Sequence, residues 1–330
     1  MDVTRSGFLK GMAASVCLAG AGCRMAGGAP VPGAHDPNLV VVISDVHTGL
    51  PWSKQQYRTG QEYPWMPEAA KRLVRAILAM DPRPSLVLDL GDLSLAFGEE
   101  GDYEIGAEVL GPLTDAGIQV VHTMGNHDIR ANFLKYFPGA DAGTKVPGRF
   151  THVVSTPHAD FIVLDSLQEP VRRGSYDACT VKGLGKEQTD WLKATLLEAK
   201  RPTFVCAHHA IPELGVARHV ARCPYVVGSL HGHNHHWATD YFADGYGRNA
   251  HTVRSVGMPS FGLDRDIGFG VLRLGAKSAK LTCRIFDYYF PTPRAPRPAS
   301  WDAFVRDNDG HTVEFVFDSL ADARSVEDRS

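Results

Sequence analysis

Short apolar runs alternate with segments of helical periodicity over most of the chain, and this alternation predicts an α/β domain. Two amphipathic helices are predicted, because apolar residues recur at helical offsets between Ala70 and Leu78 and again between Gln188 and Leu196. Their apolar stripes are expected to pack against a core. The candidate strands are Leu39 to Ser44, Ser85 to Leu90, Ile118 to His122, Phe161 to Leu164, Thr203 to Ala207 and Tyr225 to Leu230.

The pattern changes after Tyr241, where the helical periodicity disappears and short candidate strands follow one another to Asp287. We predict a second sheet in this part of the chain. Prolines between residues 291 and 298 then indicate a linker-like stretch, followed by a candidate strand from Thr312 to Phe317. These boundaries predict one large domain over residues 36–290 and a C-terminal extension of unknown role over residues 291–330.

Residues 1–35 differ from the rest and are predicted to be a signal peptide with a linker. Arg5 and Lys10 precede a weakly apolar run of small residues from Gly11 to Gly22, which is the layout of a secretory leader. The stretch around Arg5 resembles the twin-arginine export motif, with Ser6 in place of the second arginine. Export to the periplasm or cell envelope is therefore expected. Cys23 follows three small residues, as at a lipoprotein cleavage site, so a membrane tether through Cys23 is one alternative and a frayed N-terminus is another.

Charge and cysteine content narrow the classes of function. A net charge of −3 and a pI near 6.6 provide no basic field of the kind that nucleic-acid binders need, so a nucleic acid polymer is not expected as the substrate. The 15 histidines are the unusual count in the composition. The cysteines outside the leader lack the paired short spacing of a structural zinc site, and we expect buried or free thiols at Cys179, Cys206, Cys223 and Cys283.

Carboxylate, imidazole and amide side chains follow the candidate strands at the points where the strands end. The set consists of Asp45 and His47, then Asp92, then Asn126, His127 and Asp128, then His208 and His209, and finally His231, His233 and His235. The carboxyl ends of strands meet at one edge of an open α/β sheet, so one site is expected to gather them. Mixed oxygen and nitrogen ligation suits manganese, iron or zinc. Two such ions about 3.5 to 4 Å apart need a bridging carboxylate, for which Asp92 is the candidate.

Five short blocks in this set carry a family resemblance. Together, and in order, they resemble the blocks of the calcineurin-like metallophosphoesterases: Asp45-Val46-His47, Gly91-Asp92, Gly125-Asn126-His127-Asp128, His208, and Gly232-His233-Asn234-His235. Each block alone is explained by turn chemistry or a solvated loop, but five in order are an improbable coincidence. The segments Leu164 to Ser166 and Gly185 to Leu192 look like those of the cyclic-nucleotide phosphodiesterase (class III) branch. The resemblance spans about residues 37–290 and implies an α/β fold, a four-layer α-β-β-α sandwich with two mixed β-sheets.

The resemblance also implies a role for individual residues. Two metal ions (Mn, Fe or Zn) would be bound with a hydroxide bridging them. The first ion would be held by Asp45, His47, Asp92 and His235, and the second by Asp92, Asn126, His208 and His233. His127 would face the leaving-group oxygen as a proton donor, with Asp128 orienting it. Arg130 and His209 are candidate contacts to the substrate, Arg130 because an arginine fork suits a phosphate group.

The activity implied by the resemblance is hydrolysis of a small phosphodiester, of the cyclic-nucleotide or glycerophosphodiester type. A phosphomonoesterase and a nucleotide or pyrophosphate hydrolase with the same metal centre remain alternatives, and a non-catalytic binding module is a third. Leu95 stands where purple acid phosphatases place a tyrosine, which argues against a purple enzyme. A small phosphate ester is the expected partner, while the metal, the exact substrate and the oligomeric state are left open.

Overall fold

The computed structural model describes residues 34–49, 65–168, 182–245, 251–262, 265–289 and 300–317. The predicted leader, which includes Cys23, lies outside these residues. Cys179 also lies outside them. Within them, no helix is long and apolar enough to cross a membrane. The helices are α1 (Trp65–Leu78), α2 (Glu100–Asp115), α3 (Arg130–Tyr136), α4 (Gly185–Glu198), α5 (Ala217–Arg222) and α6 (Ser300–Asn308). The strands are β1 (His35–Ile43), β2 (Arg83–Asp89), β3 (Gln119–His122), β4 (His152–Ser155), β5 (Asp160–Val163), β6 (Thr203–Ala207), β7 (Val226–His231), β8 (Ala238–Ala243), β9 (Thr252–Gly257), β10 (Arg265–Leu274), β11 (Ser278–Tyr289) and β12 (Thr312–Val316).

The first sheet has the strand order β12-β11-β10-β1-β2-β3. Strand β1 is parallel to β2, and β2 is parallel to β3, whereas β10, β11 and β12 pair antiparallel with their neighbours. The three parallel strands are rich in valine and leucine because both of their faces are covered. Their carboxyl ends therefore lie at one edge of the sheet, where the chain leaves each strand through a loop.

The second sheet has the order β4-β5-β6-β7-β9-β8. Its four central strands, β5, β6, β7 and β9, are parallel to one another, and the two edge strands pair antiparallel. Both sheets are therefore mixed. Strands β6 and β7 end at the two histidine-rich segments, so these segments come from neighbouring strands that point the same way.

Alternating side chains of the first sheet pack on its two faces. Val40, Val42 and Leu88 belong to a buried cluster with the second sheet and α4, whereas Val41 and Val87 pack in another cluster with α1 and α2. This follows from the period of two in a strand, which sends successive side chains to opposite faces. Helices flank two packed mixed sheets, and the predicted four-layer α-β-β-α sandwich is confirmed.

The part of the chain after Tyr241 does not form a sheet of its own, and the prediction of one there is wrong. Strands β8 and β9 join β7 in the second sheet, while β10 and β11 return to the first sheet and pair beside β1. The sequence pattern identifies these segments as strands but carries no information on which edge each one joins, since the choice depends on long-range packing. The second sheet instead begins at β4, well before Tyr241.

The candidate strand near the C-terminus is the edge strand of the first sheet. Strand β12 pairs with β11 between Thr312 and Val316, and Val313, Phe315 and Phe317 are buried in the cluster between the sheets. The Phe315 ring lies against Phe204 of β6 in an edge-to-face contact, with ring centroids 5.0 Å apart. The last described residues therefore contribute to the core of the sandwich.

Candidate metal centre

Five loops meet where the carboxyl ends of the central strands of both sheets come together. Backbone hydrogen bonds tie these loops to one another: Asp45 N donates to Gly91 O at 2.9 Å, and His47 N donates to Asp92 O at 3.0 Å. Within the second sheet, Gly232 N donates to His208 O at 3.0 Å, and between the two sheets His233 N donates to Asp45 Oδ2 at 2.9 Å. These bonds bring into one buried cluster the residues that the sequence placed after separate strands.

Five of the seven predicted metal ligands have a left-handed backbone conformation. The φ angles are 55° at Asp45, 46° at His47, 57° at Asp92, 69° at His233 and 55° at His235. Residues other than glycine rarely adopt this conformation, because Cβ crowds the backbone. Strained backbone of this kind persists where the surrounding structure enforces it, and it concentrates at functional sites. In this conformation the side chains point into the cluster and do not continue the alternation of the preceding strands.

One group of ligand atoms lies around Asp45. The Nε2 of His235 lies 3.1 Å from Asp45 Oδ1 and 3.2 Å from the Nε2 of His47. The ligand atoms of these three residues all lie within 4.8 Å of one another. The group matches the residues predicted for the first ion, apart from the bridging carboxylate.

A second group lies around His208, and Asp92 connects the two. His208 Nε2 is 3.0 Å from Asp92 Oδ2 and 3.1 Å from Asn126 Oδ1. Asp92 Oδ2 is also 3.9 Å from the Nε2 of His47 in the first group. The His233 ring packs against His208, with ring centroids 5.2 Å apart. Asp92 thus lies between the two groups, as a bridging carboxylate requires.

Hydrogen bonds fix which nitrogen of His47 and of His208 is free to bind a metal. His47 Nδ1 lies 3.0 Å from the carbonyl of Ser94, and His208 Nδ1 lies 3.0 Å from the carbonyl of Leu90. A carbonyl oxygen only accepts, so both Nδ1 atoms carry hydrogen and donate. In the neutral imidazole the Nε2 lone pair then points at the cluster, which is the form that coordinates metals.

The donor set fits two metal cations. The Nε2 atoms of His47 and His235 lie 3.2 Å apart, and Asp45 Oδ1 lies 3.1 Å from His235 Nε2, so three potential ligand atoms converge as they would around a cation. The amide of Asn126 is buried with its Nδ2 unpartnered among the described residues, while its oxygen faces the cluster. Carboxylates, imidazoles and one amide oxygen form a set that suits manganese, iron or zinc.

Burial and the neighbouring charges shift the pKa values of His47, His233 and Asp92 in the directions that metal binding needs, and shift that of His208 the other way. Burial, reinforced by the nearby His235, lowers the pKa of His47 to about 4, and burial with His208 lowers that of His233 to about 4. At Asp92, burial opposes ionisation, but His208 outweighs it and holds the pKa well below its usual range. Burial likewise opposes the charge on His208, but Asp92 prevails and raises its pKa to about 9. The cluster therefore stabilises positive charge beside Asp92, and metal binding would release this proton.

His127 borders the cluster, and its orientation comes from a backbone carbonyl. Its Nδ1 lies 2.7 Å from Ala96 O and therefore donates, while its Nε2 lies 4.0 Å from Asp92 Oδ2. The backbone N of His127 donates to Asp92 Oδ1 at 2.8 Å. At 23 % exposure this side chain is more accessible than Asp92, which is 1 % exposed. Nε2 thus lies at the border of the cluster.

Asp128 was predicted to orient the His127 ring, but its described partners are different. Its carboxylate accepts backbone hydrogen bonds from Asp92 at 2.9 Å, Gly125 at 2.9 Å and Ser94 at 3.1 Å. It thereby joins the loop after β2 to the loop after β3. Burial first, and then the charge of Asp92, raise the pKa of Asp128 to about 7.

Asp102 supports the same loop and has no motif in the sequence that reveals it. Its carboxylate accepts from Ser94 Oγ at 2.7 Å and from Leu95 N at 3.0 Å. The carbonyl oxygens of Ser94 and Leu95 in turn accept hydrogen bonds from Nδ1 of His47. Asp102 therefore orients the predicted ligand His47 through the loop that it holds. Its position in the first turn of α2 is the signal that could have identified it. The hydrophobic periodicity of α2 is weak, however, so the sequence does not predict this helix.

The two candidate substrate contacts lie in different surroundings. Arg130 is 8 % exposed and forms a two-pronged ion pair with Asp165, with Nε to Oδ2 at 2.8 Å and Nη2 to Oδ1 at 2.6 Å. Its fork is thus engaged within the protein, and substrate contact by Arg130 stays a prediction. His209 is fully buried and lies against the rings of His208 and His233.

Replacing Gly125 with alanine is expected to displace Asp92 and weaken metal binding. An added Cβ would overlap Asp92 Oδ1 and would lie 2.6 Å from both Asp92 Cγ and Asp92 N, closer than real Cβ atoms approach. The matched control is Gly111→Ala in α2, where a Cβ meets nothing within 4 Å and should add about 0.5–1 kcal/mol of stability. Metal content after dialysis measures the effect; equal metal content in the two variants would contradict this placement of Asp92.

Comparison with known proteins agrees with this architecture. Residues 39–243, more than half of the chain, match the family model of the calcineurin-like phosphoesterases. No curated protein matches the sequence. A dimetal phosphatase from Danio rerio has a similar structure, with 13 % identity and a TM-score of 0.55 over 87 % of this chain and 100 % of that chain. PhoD follows with 14 % identity and a TM-score of 0.49, over 80 % of this chain and 69 % of that chain. At these identities the likeness is one of fold alone.

Proposed function

Since the chain belongs to the calcineurin-like phosphoesterase family, we propose that it hydrolyses a small phosphodiester at the cluster around Asp92. The observation that carries the proposal is the convergence of two ligand groups on one buried carboxylate, with Asp92 between His208 and His47. The residues that would hold the ions are Asp45, His47, Asp92, Asn126, His208, His233 and His235. When bound, two such ions supply a water of lowered pKa and stabilise charge on a phosphoryl group.

The residues of the chain itself bind, orient and transfer a proton. Asp102 and Asp128 hold the loops, so that the ligands keep their directions without substrate. His127 supports proton transfer to the leaving group, because its Nδ1 is fixed by Ala96 O and its Nε2 borders the cluster. The buried setting excludes bulk water from the ligands, which strengthens each electrostatic contact.

Two cations near the cluster are paired within the protein, and this pairing favours a diester over a monoester. Arg130 is paired with Asp165, and Lys182, close enough to lower the pKa of His209, is paired with Glu213. These two cations are already neutralised within the protein. A phosphomonoester carries close to two negative charges near neutral pH and gains most from additional cations, whereas a diester carries one. We therefore infer that a singly charged phosphodiester is the better substrate.

The test compares bis(p-nitrophenyl) phosphate with p-nitrophenyl phosphate, using purified protein after chelation and after adding back manganese, iron or zinc. We expect metal-restored activity, with kcat/KM for the diester at least about tenfold above that for the monoester, a difference of about 1.4 kcal/mol. A reversed ratio would favour the monoesterase alternative. Hydrolysis of pyrophosphate bonds in preference to both would favour a nucleotide hydrolase. Absence of activity with every metal would leave the binding-module alternative.

The same assay examines His127. The variant His127→Ala should lose kcat by about 10²- to 10⁴-fold, as expected for the loss of a proton donor, while it retains both metals. The loss should be smaller for bis(p-nitrophenyl) phosphate than for a diester with an alkoxide leaving group, because p-nitrophenolate needs less protonation. An unchanged kcat would remove His127 from the mechanism.

A further inference from the structure

His209 is buried beside the metal centre but belongs to neither of the predicted ligand sets. Its ring centroid lies 4.5 Å from that of His233 and 4.8 Å from that of His208, and ring nitrogens of all three residues lie within 4.8 Å of one another. The side chain is inaccessible to solvent. Its Nε2 has no hydrogen-bond partner among the described residues. A buried polar atom left unpaired is costly, and it indicates a group that a ligand would satisfy.

Ser166 decides which nitrogen of His209 carries the hydrogen. Ser166 Oγ lies 2.9 Å from His209 Nδ1, and the backbone N of His209 donates to the same oxygen at 3.4 Å. In the part of the chain that the structure describes, Nδ1 is the acceptor within reach of the Ser166 hydroxyl hydrogen. Ser166 therefore donates to Nδ1, and the neutral ring carries its own hydrogen on Nε2.

This hydrogen distinguishes His209 from the metal ligands beside it. In His47 and His208, Nδ1 faces backbone carbonyls, so that Nε2 offers a lone pair. In His209, Nδ1 faces a hydroxyl, so that Nε2 offers a hydrogen. A protonated nitrogen cannot coordinate a metal, but it can donate to an anionic oxygen, and such a bond is strong in a buried site.

We propose that His209 binds the substrate by donating a hydrogen bond from Nε2 to a phosphoryl oxygen, and that it is not a metal ligand. The ligand class is thus a phosphoryl oxyanion, carried by a phosphate ester or by inorganic phosphate. Ser166 acts as the positioning residue, since it selects the tautomer. The proposal rests on the proposed phosphoesterase function for the identity of the substrate.

The experiment measures inorganic phosphate binding and metal content in metal-loaded protein. His209→Leu removes the donor at similar size, and His209→Gln keeps an amide donor near the position of Nε2. We expect His209→Leu to weaken phosphate binding by about 10- to 100-fold, His209→Gln to retain most of it, and both to keep two metals per chain. Ser166→Ala should weaken phosphate binding by less, and should have little further effect in the His209→Leu background.

Several outcomes would overturn the proposal. Loss of one metal per chain in His209→Leu would make His209 a ligand, and unchanged phosphate affinity in that variant would leave it without a role in binding. The control is His311→Leu, an exposed histidine outside the cluster, which should change neither quantity. Wild-type protein that binds two metals and phosphate but hydrolyses no ester would refute the proposed function while the His209 test still stands. If His209→Leu fails to fold, His209→Gln carries the test. A loss of phosphate binding of about 10- to 100-fold in that variant, with two metals retained, would count against a donor at this position.

Discussion

Replacing Asp92 with asparagine is expected to abolish hydrolysis, with kcat lower by about a thousandfold or more. Asp92 lies within 3.0 Å of His208 and 3.9 Å of His47, so it is the carboxylate that can bridge the two ligand groups. Asparagine has the same shape but no negative charge, and a bridged pair of cations would lose the ligand that holds them together. A loss of about 4 kcal/mol in stabilisation of the transition state corresponds to this factor.

The asparagine variant should also show where the loss arises. The oxygen that accepts the backbone N–H of His127 at 2.8 Å is retained, so we expect the loop to keep its conformation. Loss of the negative charge beside the buried His208 should nevertheless lower the thermal stability. Metal content should fall below two ions per chain. Asp115→Asn, an exposed residue of α2, is the matched control and should keep full activity and metal. Wild-type activity in Asp92→Asn would refute the two-metal centre. Normal metal content without activity would show that the charge of Asp92 is needed for hydrolysis but not for metal binding.

The second large effect is expected in stability, from Asp165→Asn. The buried carboxylate of Asp165 accepts two hydrogen bonds from Arg130 and one each from the backbone N of Phe150, at 2.8 Å, and of Leu167, at 3.1 Å. Loss of the charge would remove the carboxylate that receives both prongs of the buried Arg130 guanidinium. Breaking a buried pair in this way costs about 3–5 kcal/mol, and we expect the free energy of unfolding to fall by that amount.

Denaturant unfolding measures this effect, and the chain offers a matched control. Asp160 pairs with Arg201 at 2.7 Å, but these side chains are 21 % and 39 % exposed. Asp160→Asn should therefore cost no more than about 1 kcal/mol, as surface ion pairs do. Equal losses in the two variants would contradict a structural role for the Arg130 pair. A small loss in Asp165→Asn together with weaker substrate binding would instead favour Arg130 as a substrate contact.

Sequence reasoning succeeded where the chemistry or the local pattern depends on residue type. The strand Thr203–Ala207 coincides with β6, and the helix around Gln188 to Leu196 lies within α4, because runs of β-branched residues and helical offsets are local signals. The helix α2 gave no clear signal, since glycines and Pro112 interrupt its pattern. Its weak periodicity also hid Asp102, which supports the ligand loop. Local reasoning therefore predicted the candidate ligands but not the residues that hold them in place.

The sequence by itself determined the family, the mixed α/β pattern and the set of candidate ligands, because the donor atoms of a metal site must belong to particular residue types. Only the tertiary structure decided that β10 and β11 pair beside β1, that Arg130 is engaged by Asp165, and that Ala96 rather than Asp128 orients His127. These outcomes depend on contacts between residues far apart in the chain. Strand pairing, buried partners and tautomers are set by what lies across the core, and no local pattern encodes that.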